Sequence, residues 1–169
     1  MKKVLGVLII SLLTACASTT QPTAHVEDRA IGENGGADGS ALGSGGPSFH
    51  PLQDPDSILS QRSVYYDFDS YTVKGKYREL VTSHAQYLRD NANSKVILQG
   101  NTDERGSREY NLALGQRRAD SVRSMMTLSG ARDAQIESVS LGEEKPRAIG
   151  HDESSWSENR RTVIIYRGE

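Results

Sequence analysis

The stretch GNTDERGSREYNLALGQRRADSV, residues 100–122, spaces an aspartate, an asparagine and an arginine in a way that suits the binding of a small zwitterion. Asp103 falls in a turn-like segment. Asn111 and Arg118 are seven residues apart, so they share one face of a helix, with Leu114 between them. An arginine holds a carboxylate through two parallel hydrogen bonds, and an aspartate accepts hydrogen bonds from an ammonium. The stretch therefore predicts a shallow pocket for a free amino-acid end, which carries both groups on one carbon.

These residues also have a purely structural interpretation. Aspartate is common in turns, where its side chain shapes the backbone. Arg118 could be a surface helix arginine that pairs with the same Asp103. The neighbouring Arg117 points about 100° away from the Asn111 face and is expected to matter less.

Hydrophobic periodicity predicts the elements that position this stretch. Two helices are expected at 73–90 and 107–129, the second with an apolar stripe of Leu112, Gly115, Ala119, Val122 and Met126. Strands are expected at 63–68, 95–99, 136–141 and 161–166, with a short helix near 154–157. The order β-α-β-α-β-β predicts an α+β domain in which helices pack on one mixed sheet. His84 lies on the apolar stripe of the first helix and is expected to be a packed histidine.

The N-terminus has the anatomy of an export signal. Lys2 and Lys3 precede an apolar run at residues 4–13, which is shorter than the ~20 residues that span a bilayer. The segment LTAC ends at Cys16, the single cysteine of the chain, and resembles a bacterial lipobox. This resemblance implies that Cys16 is lipidated and that, with Ala17 following, the protein is sorted to the outer membrane. An ordinary secretory signal or a short uncleaved anchor is the alternative.

Composition divides the rest of the chain into a tether and one domain. Residues 31–47 hold seven of the 16 glycines, and few core-forming residues lie between residues 16 and 60. We therefore predict a signal peptide at 1–15, a flexible linker at 16–60 and a single folded domain at 61–169. From Arg62 onward there are 17 basic and 16 acidic residues, so the domain is nearly neutral. This balance argues against nucleic-acid binding, which needs a basic face.

Several ordered motifs resemble the OmpA-like peptidoglycan-binding domain family. The first is GNTDxxG at 100–106 followed by NxxLxxxRAxxV at 111–122. The others are YDFD at 66–69, SLGEEKP at 140–146, and GHDE at 150–153 followed by NRR at 159–161. Gly115 departs from the serine that many members have there. The match covers essentially all of residues 62–166.

The resemblance implies a ligand and a set of partners. Members bind the stem peptide of peptidoglycan non-covalently at meso-diaminopimelate, whose side-chain end is a free amino-acid terminus. By position, Asp103 would hold the ammonium and Arg118 the carboxylate, with Asn111 and Leu114 supporting the pocket and Asp67 and Phe68 at its rim. Lipoprotein members also dock TolB and belong to the Tol system with TolA, which serves envelope integrity and cell division. No cofactor or metal is implied.

Two other function classes remain open on the sequence. A wall hydrolase would need paired carboxylates, such as Asp67 with Asp69 or Asp103 with Glu104. Residues this close in one turn do not by themselves form an opposed pair, and no nucleophile motif or zinc spacing of histidines is present. A lipoprotein that docks only other proteins is the second alternative. Arg160 and Arg161 could brace Asp103 or a loop, or could contact ligand, and Trp156 is expected to anchor a loop.

Overall fold

A computed structural model describes residues 50–168, and the predicted signal peptide, Cys16 and the linker up to residue 49 lie outside the described residues. The main elements follow the predicted order, and the short helix expected near 154–157 is present before the last strand. They are β1 (Ser63–Tyr65), α1 (Arg78–Asp90), β2 (Val96–Asn101), α2 (Arg108–Leu128), β3 (Ile136–Gly142), α3 (Glu153–Asn159) and β4 (Arg161–Tyr166).

The four strands form one mixed sheet in the order β1-β4-β2-β3. β4 runs antiparallel to both β1 and β2, whereas β2 and β3 run parallel, joined by the long helix α2. The last strand of the chain therefore lies inside the sheet and bridges its first half to its second. The prediction of an α+β fold with helices on one mixed sheet is confirmed.

Side-chain alternation along the strands explains where the core lies. Val96 and Leu98 of β2 and Ile164 of β4 are buried. Ile165, the next residue of β4, is 39% exposed, because successive side chains of a strand point to opposite faces of the sheet. The buried face meets the apolar stripes of α1 and α2, including Leu88, which is fully buried. His84 is also buried there and shares hydrogen bonds with the Tyr166 hydroxyl (2.9 Å) and the Gln61 carbonyl (2.8 Å), which confirms the packed histidine.

The first helix starts later than its apolar period suggests. Residues Gly75–Tyr77 form a 3₁₀ turn, and the α-helix begins at Arg78 rather than near residue 73. Neither Lys74, which precedes the 3₁₀ turn, nor Tyr77, which precedes the α-helix, caps a backbone N–H with its side chain. No capping interaction therefore stabilises an earlier start of the α-helix near Val73.

The buried stripe of α2 was predicted incorrectly at its first position. Leu112 is 51% exposed, whereas Asn111 and Arg118 are almost fully buried. The interface of this helix is centred about one residue earlier than expected, because its N-terminal half faces polar loops rather than the apolar core. Polar residues therefore occupy positions that a hydrophobic pattern would assign to solvent.

The last part of the predicted linker is in contact with the domain. Leu52 is 7% exposed and belongs to the core cluster, and Ile58 and Leu59 pack against it. Arg62 stabilises the position of this segment, because its side chain donates hydrogen bonds to the carbonyls of Leu59 (2.6 Å) and Leu52 (2.9 Å). The folded unit thus begins before residue 61. The sequence did not indicate this, because the segment contains too few apolar residues to form a recognisable pattern. Between residues 50 and 168, none of the helices combines the length and apolar character needed to span a bilayer.

Candidate functional site

A cavity of about 220 Å³ opens where three segments meet: the loop after β1, the loop between β2 and α2, and the first half of α2. Its walls carry both signs of charge, two aromatic rings and a backbone turn. The lining residues are Phe68, Asp69, Thr102, Asp103, Arg105, Gly106, Tyr110, Asn111, Leu114 and Arg118. Five of the six residues predicted to bind ligand therefore lie around one pocket.

Arg118 is the buried cation of this pocket, with no measurable exposure. Its Nε donates to the Ser70 carbonyl (2.8 Å) and its Nη1 to the Asn101 carbonyl (2.8 Å). Its Nη2 lies 3.3 Å from the Asp67 carbonyl oxygen. Burial lowers the pKa of Arg118 to about 10, so the side chain stays charged at neutral pH.

The charge of Arg118 is not balanced by an ion pair. Its contacts within residues 50–168 are carbonyl oxygens and the Tyr66 ring, and none is a carboxylate at salt-bridge distance. Because a guanidinium has five N–H groups, two remain available after the three carbonyl contacts. The pocket therefore presents a positive charge that an incoming anion could neutralise.

Asp103 supplies the negative charge and is 4% exposed. Its carboxylate accepts hydrogen bonds from the backbone N–H of Arg105 (3.2 Å), from Nη2 of Arg105 (2.6 Å) and from Nη1 of Arg160 (3.1 Å). Burial alone would raise the pKa of Asp103, but the hydrogen bonds from Arg105 and Arg160 outweigh it and hold the pKa below its usual value. The alternative that Asp103 pairs with Arg118 is wrong, since two other arginines occupy it.

Arg160 braces this carboxylate from the far side. Arg160 directly follows the last residue of α3. Its side chain donates to the Tyr66 carbonyl (3.2 Å) and pairs with Glu153 as well as with Asp103. Arg161 instead donates to the carbonyls of Lys145 (3.1 Å) and Asn159 (3.3 Å). The contacts of Arg160 and Arg161 are therefore those of the bracing role, one of the two roles that the sequence left open for them.

Arg105 is a component that sequence reasoning missed. Its guanidinium carbon lies 4.2 Å from the centroid of the Phe68 ring and 4.0 Å from that of the Trp156 ring, so two aromatic faces enclose it. Trp156 is fixed in turn by donating to Glu104 (2.8 Å), which agrees with its predicted role as a loop anchor. The Asp-x-Arg spacing in a turn was the available signal, but the two rings come from distant segments.

Of the remaining predicted residues, Asn111 and Leu114 line the pocket, whereas the Asp67 side chain lies outside it. Asn111 is buried and donates to Glu143, and Leu114 beside it gives the pocket its apolar wall. The Asp67 side chain instead points to the surface and pairs with Lys74, while only its carbonyl faces Arg118. Asp69, rather than Asp67, lines the rim of the pocket. It has a left-handed φ of 52° and accepts a hydrogen bond from Tyr110.

Comparison with known proteins places the chain in a family. The OmpA family model matches residues 65–160. The peptidoglycan-associated lipoprotein of Pasteurella multocida is 39% identical over 98% of this chain and all of that protein. The one from Haemophilus influenzae is 40% identical, covering 93% of this chain and 92% of that protein. This chain belongs to the OmpA family and, within it, to the peptidoglycan-associated lipoproteins.

Solved structures agree with that assignment. The crystal structure of the peptidoglycan-associated lipoprotein from Burkholderia pseudomallei is 57% identical, with a TM-score of 0.69, and covers 70% of this chain and all of that one. The C-terminal domain of Helicobacter pylori MotB shares the fold at 16% identity, with a TM-score of 0.60. The OmpA match spans the whole pocket, from the segment after β1 to Arg160.

From residue 50 to residue 168, no three His, Cys, Asp or Glu side chains converge as a metal site would require. The carboxylates proposed for the hydrolase alternative also have other partners. Asp103 is bound by two arginines, and Glu104 accepts hydrogen bonds from Trp156 and His151.

Proposed function

We propose that this protein binds peptidoglycan non-covalently through meso-diaminopimelate of the stem peptide. One observation carries the proposal: the buried Arg118 cation, which lacks a carboxylate partner in the described domain, lines the same 220 Å³ pocket as the buried Asp103 carboxylate. A free amino-acid end bears an anion and a cation on one carbon and matches both. Relatives of this chain are named peptidoglycan-associated lipoproteins, which supports peptidoglycan as the polymer that is bound.

Each pocket residue has a role in this proposal. The two free N–H groups of Arg118 bind the ligand carboxylate, and Asp103 accepts from its ammonium. Asn111 and Leu114 support the floor, Phe68 covers the rim, and Asp67 contributes its carbonyl to the loop that encloses Arg118. A few charge-assisted bonds with little apolar burial give an affinity of roughly micromolar order. Many copies on one sacculus then hold by multivalency.

Sedimentation with purified sacculi tests the proposal. Full-length protein in detergent is mixed with sacculi that contain diaminopimelate, and with sacculi that contain lysine at the same position. Lysine lacks the carboxylate at that carbon, so Arg118 stays unpaired and retention is expected to fall. Equal retention on both walls would contradict the mechanism. Release of soluble muropeptides would instead favour the hydrolase.

The membrane side of the tether is proposed to be a lipid on Cys16. The lipobox-like segment before Cys16 supports this, and stable anchoring requires more than one acyl chain. The protein then joins the outer membrane to the wall, with its domain in the periplasm. Labelled fatty acid is expected in the wild type and absent from Cys16→Ala, which should also leave the membrane fraction. A lipidated Cys16→Ala protein would refute the anchor.

Protein partners complete the proposed function. Resemblance to the lipoprotein members of the family implies docking to TolB and a place in the Tol system with TolA. Pull-down of TolB by the full-length protein, with and without soluble diaminopimelate peptide, tests this. Reduced capture in the presence of peptide is expected if both partners use the pocket rim.

A further inference from the structure

The Asp103 carboxylate already holds a cation, the Arg105 guanidinium, at the position where a ligand ammonium is proposed to bind. Nη2 of Arg105 lies 2.6 Å from its carboxylate, and Arg105 itself lines the pocket. We propose that Arg105 is an internal competitor that any ligand ammonium must displace, and that this exchange leaves an amine without a carboxylate too weakly bound to be retained. The inference rests on the proposed function, because it concerns the ammonium that Asp103 would hold.

Arg105 has a second place to go. A Glu153 oxygen lies 3.7 Å from the same Nη2, on the exposed side of the cluster. The guanidinium can move from Asp103 to Glu153 while it remains between the Phe68 and Trp156 rings, which contact it through their faces. The Nε of Arg105 is buried and has no hydrogen-bond partner among the described residues, so its present position is not fully satisfied. Glu153 therefore offers a second carboxylate within reach of the same guanidinium.

Arg160 is the fixed counterpart of this movable arginine. Its side chain is 5% exposed and is held by the Tyr66 carbonyl, by Glu153 and by Asp103 together. Displacing Arg105 therefore leaves Asp103 with one bracing cation and one free position. A ligand ammonium can fill that position without leaving a buried carboxylate unpaired.

The exchange at Asp103 weakens every ammonium ligand by a similar amount, so the pair with Arg118 decides which ligands still bind. A plain amine that replaces Arg105 breaks one charge-assisted hydrogen bond to Asp103 and forms another, so it gains little. A ligand that also carries a carboxylate adds the pair with Arg118, which no residue of the described domain supplies. Arg105 thus lowers the affinity for all ammonium ligands, and only those that also pair with Arg118 bind well.

The test uses full-length protein in detergent and two short peptides that differ only in diaminopimelate or lysine at one position. Calorimetry gives both dissociation constants for wild type, Arg105→Gln and the charge-retaining control Arg105→Lys. The wild type is expected to prefer the diaminopimelate peptide. In Arg105→Gln both peptides should bind about tenfold more tightly, because each ammonium then meets an Asp103 carboxylate without a competitor, while the preference set by Arg118 remains. Arg105→Lys should keep most of the competition, so its dissociation constants should stay near those of the wild type.

A second readout follows the displacement itself. Trp156 is the only tryptophan of the chain and stacks on Arg105, so its fluorescence should change when wild type binds the diaminopimelate peptide and change much less in Arg105→Gln. If wild type is selective but Arg105→Gln binds neither peptide more tightly, the competitor role is overturned and the proposed function stands. If wild type binds neither peptide, both fall together.

Discussion

Nη1 of Arg118, midway along α2, donates to the carbonyl oxygen of Asn101, the last residue of β2, at 2.8 Å. The same guanidinium reaches the carbonyls of Ser70 and Asp67 in the loop after β1. One side chain therefore joins the end of a strand, a helix and a loop at the base of the pocket. The residue proposed to bind the ligand carboxylate also holds the pocket together.

This double role predicts that Arg118→Ala lowers stability as well as binding. Its removal leaves buried carbonyl oxygens without donors, each at a cost of about 1–3 kcal/mol if no water replaces it. A fall in the thermal midpoint of at least about 4 °C is expected from calorimetry. The exposed neighbour gives the control, since Arg117→Ala should change neither quantity much. A larger effect of Arg117→Ala than of Arg118→Ala would contradict the assignment.

Asp103→Ala is expected to weaken binding to sacculi by about tenfold or more, because one charge-assisted partner of the ligand is lost. Sedimentation at several protein concentrations measures this. The double variant Asp103→Ala/Arg118→Ala should lose less than the two single effects combined, since both residues hold one small group. Strict additivity would show that the two residues do not share a ligand.

The sequence predicted the fold well because hydrophobic period and motif order are local signals. Strand and helix positions were close to those observed, and the burial of His84 followed from its place on an apolar stripe. The pocket was harder to predict. The pairing of Asp103 with Arg160 joins residues 57 positions apart, and no periodicity encodes such a contact.

The burial of Arg118 and the exposure of Leu112 have a common cause. Both depend on how α2 is rotated against the polar loops, and amphipathic patterns assume an apolar partner. The Arg105 sandwich depends on rings from the loop after β1 and from α3, which only the tertiary fold brings together.

The start of the folded unit gives a third prediction. Leu52→Ala should destabilise the domain by about 2–3 kcal/mol, because a nearly buried leucine of the core cluster is lost. Deletion of residues 17–49, which are poor in core-forming residues, should leave the thermal midpoint almost unchanged. The thermal midpoints of both variants, measured by calorimetry, show which of the two segments contributes to the stability of the domain. A large fall on deletion would show that the tether contributes to folding.

A pH-dependent contribution to stability is expected from His151. Nδ1 of His151 lies 2.7 Å from a Glu104 oxygen, and this hydrogen bond raises the pKa of His151 while it lowers that of Glu104. A raised folded-state pKa stabilises the protein below the unfolded value of about 6.5, and this contribution disappears as pH rises through the folded pKa.

Thermal midpoints of wild type and His151→Gln, measured against pH, test this sign. The wild type should be the more stable below about pH 6.5, and the difference should shrink at alkaline pH. Because His151 is exposed, high salt should reduce the difference as well. A difference that grows with rising pH would contradict the assignment.

The last prediction concerns Gly100 in β2, which lies directly against Gly115 in α2. A Cβ on Gly100 would overlap the carbonyl oxygen of Gly115, which is backbone and cannot rotate away. Gly100→Ala should therefore destabilise the domain by about 1–3 kcal/mol and displace β2 from α2. Since Asn101 follows directly and its carbonyl contacts Arg118, sacculus binding should fall too. Gly75→Ala is the matched control: no heavy atom lies within 4 Å of its Cβ position, so the midpoint should stay or rise slightly. Equal midpoints for the two alanine variants would show that close strand–helix contact does not shape the pocket.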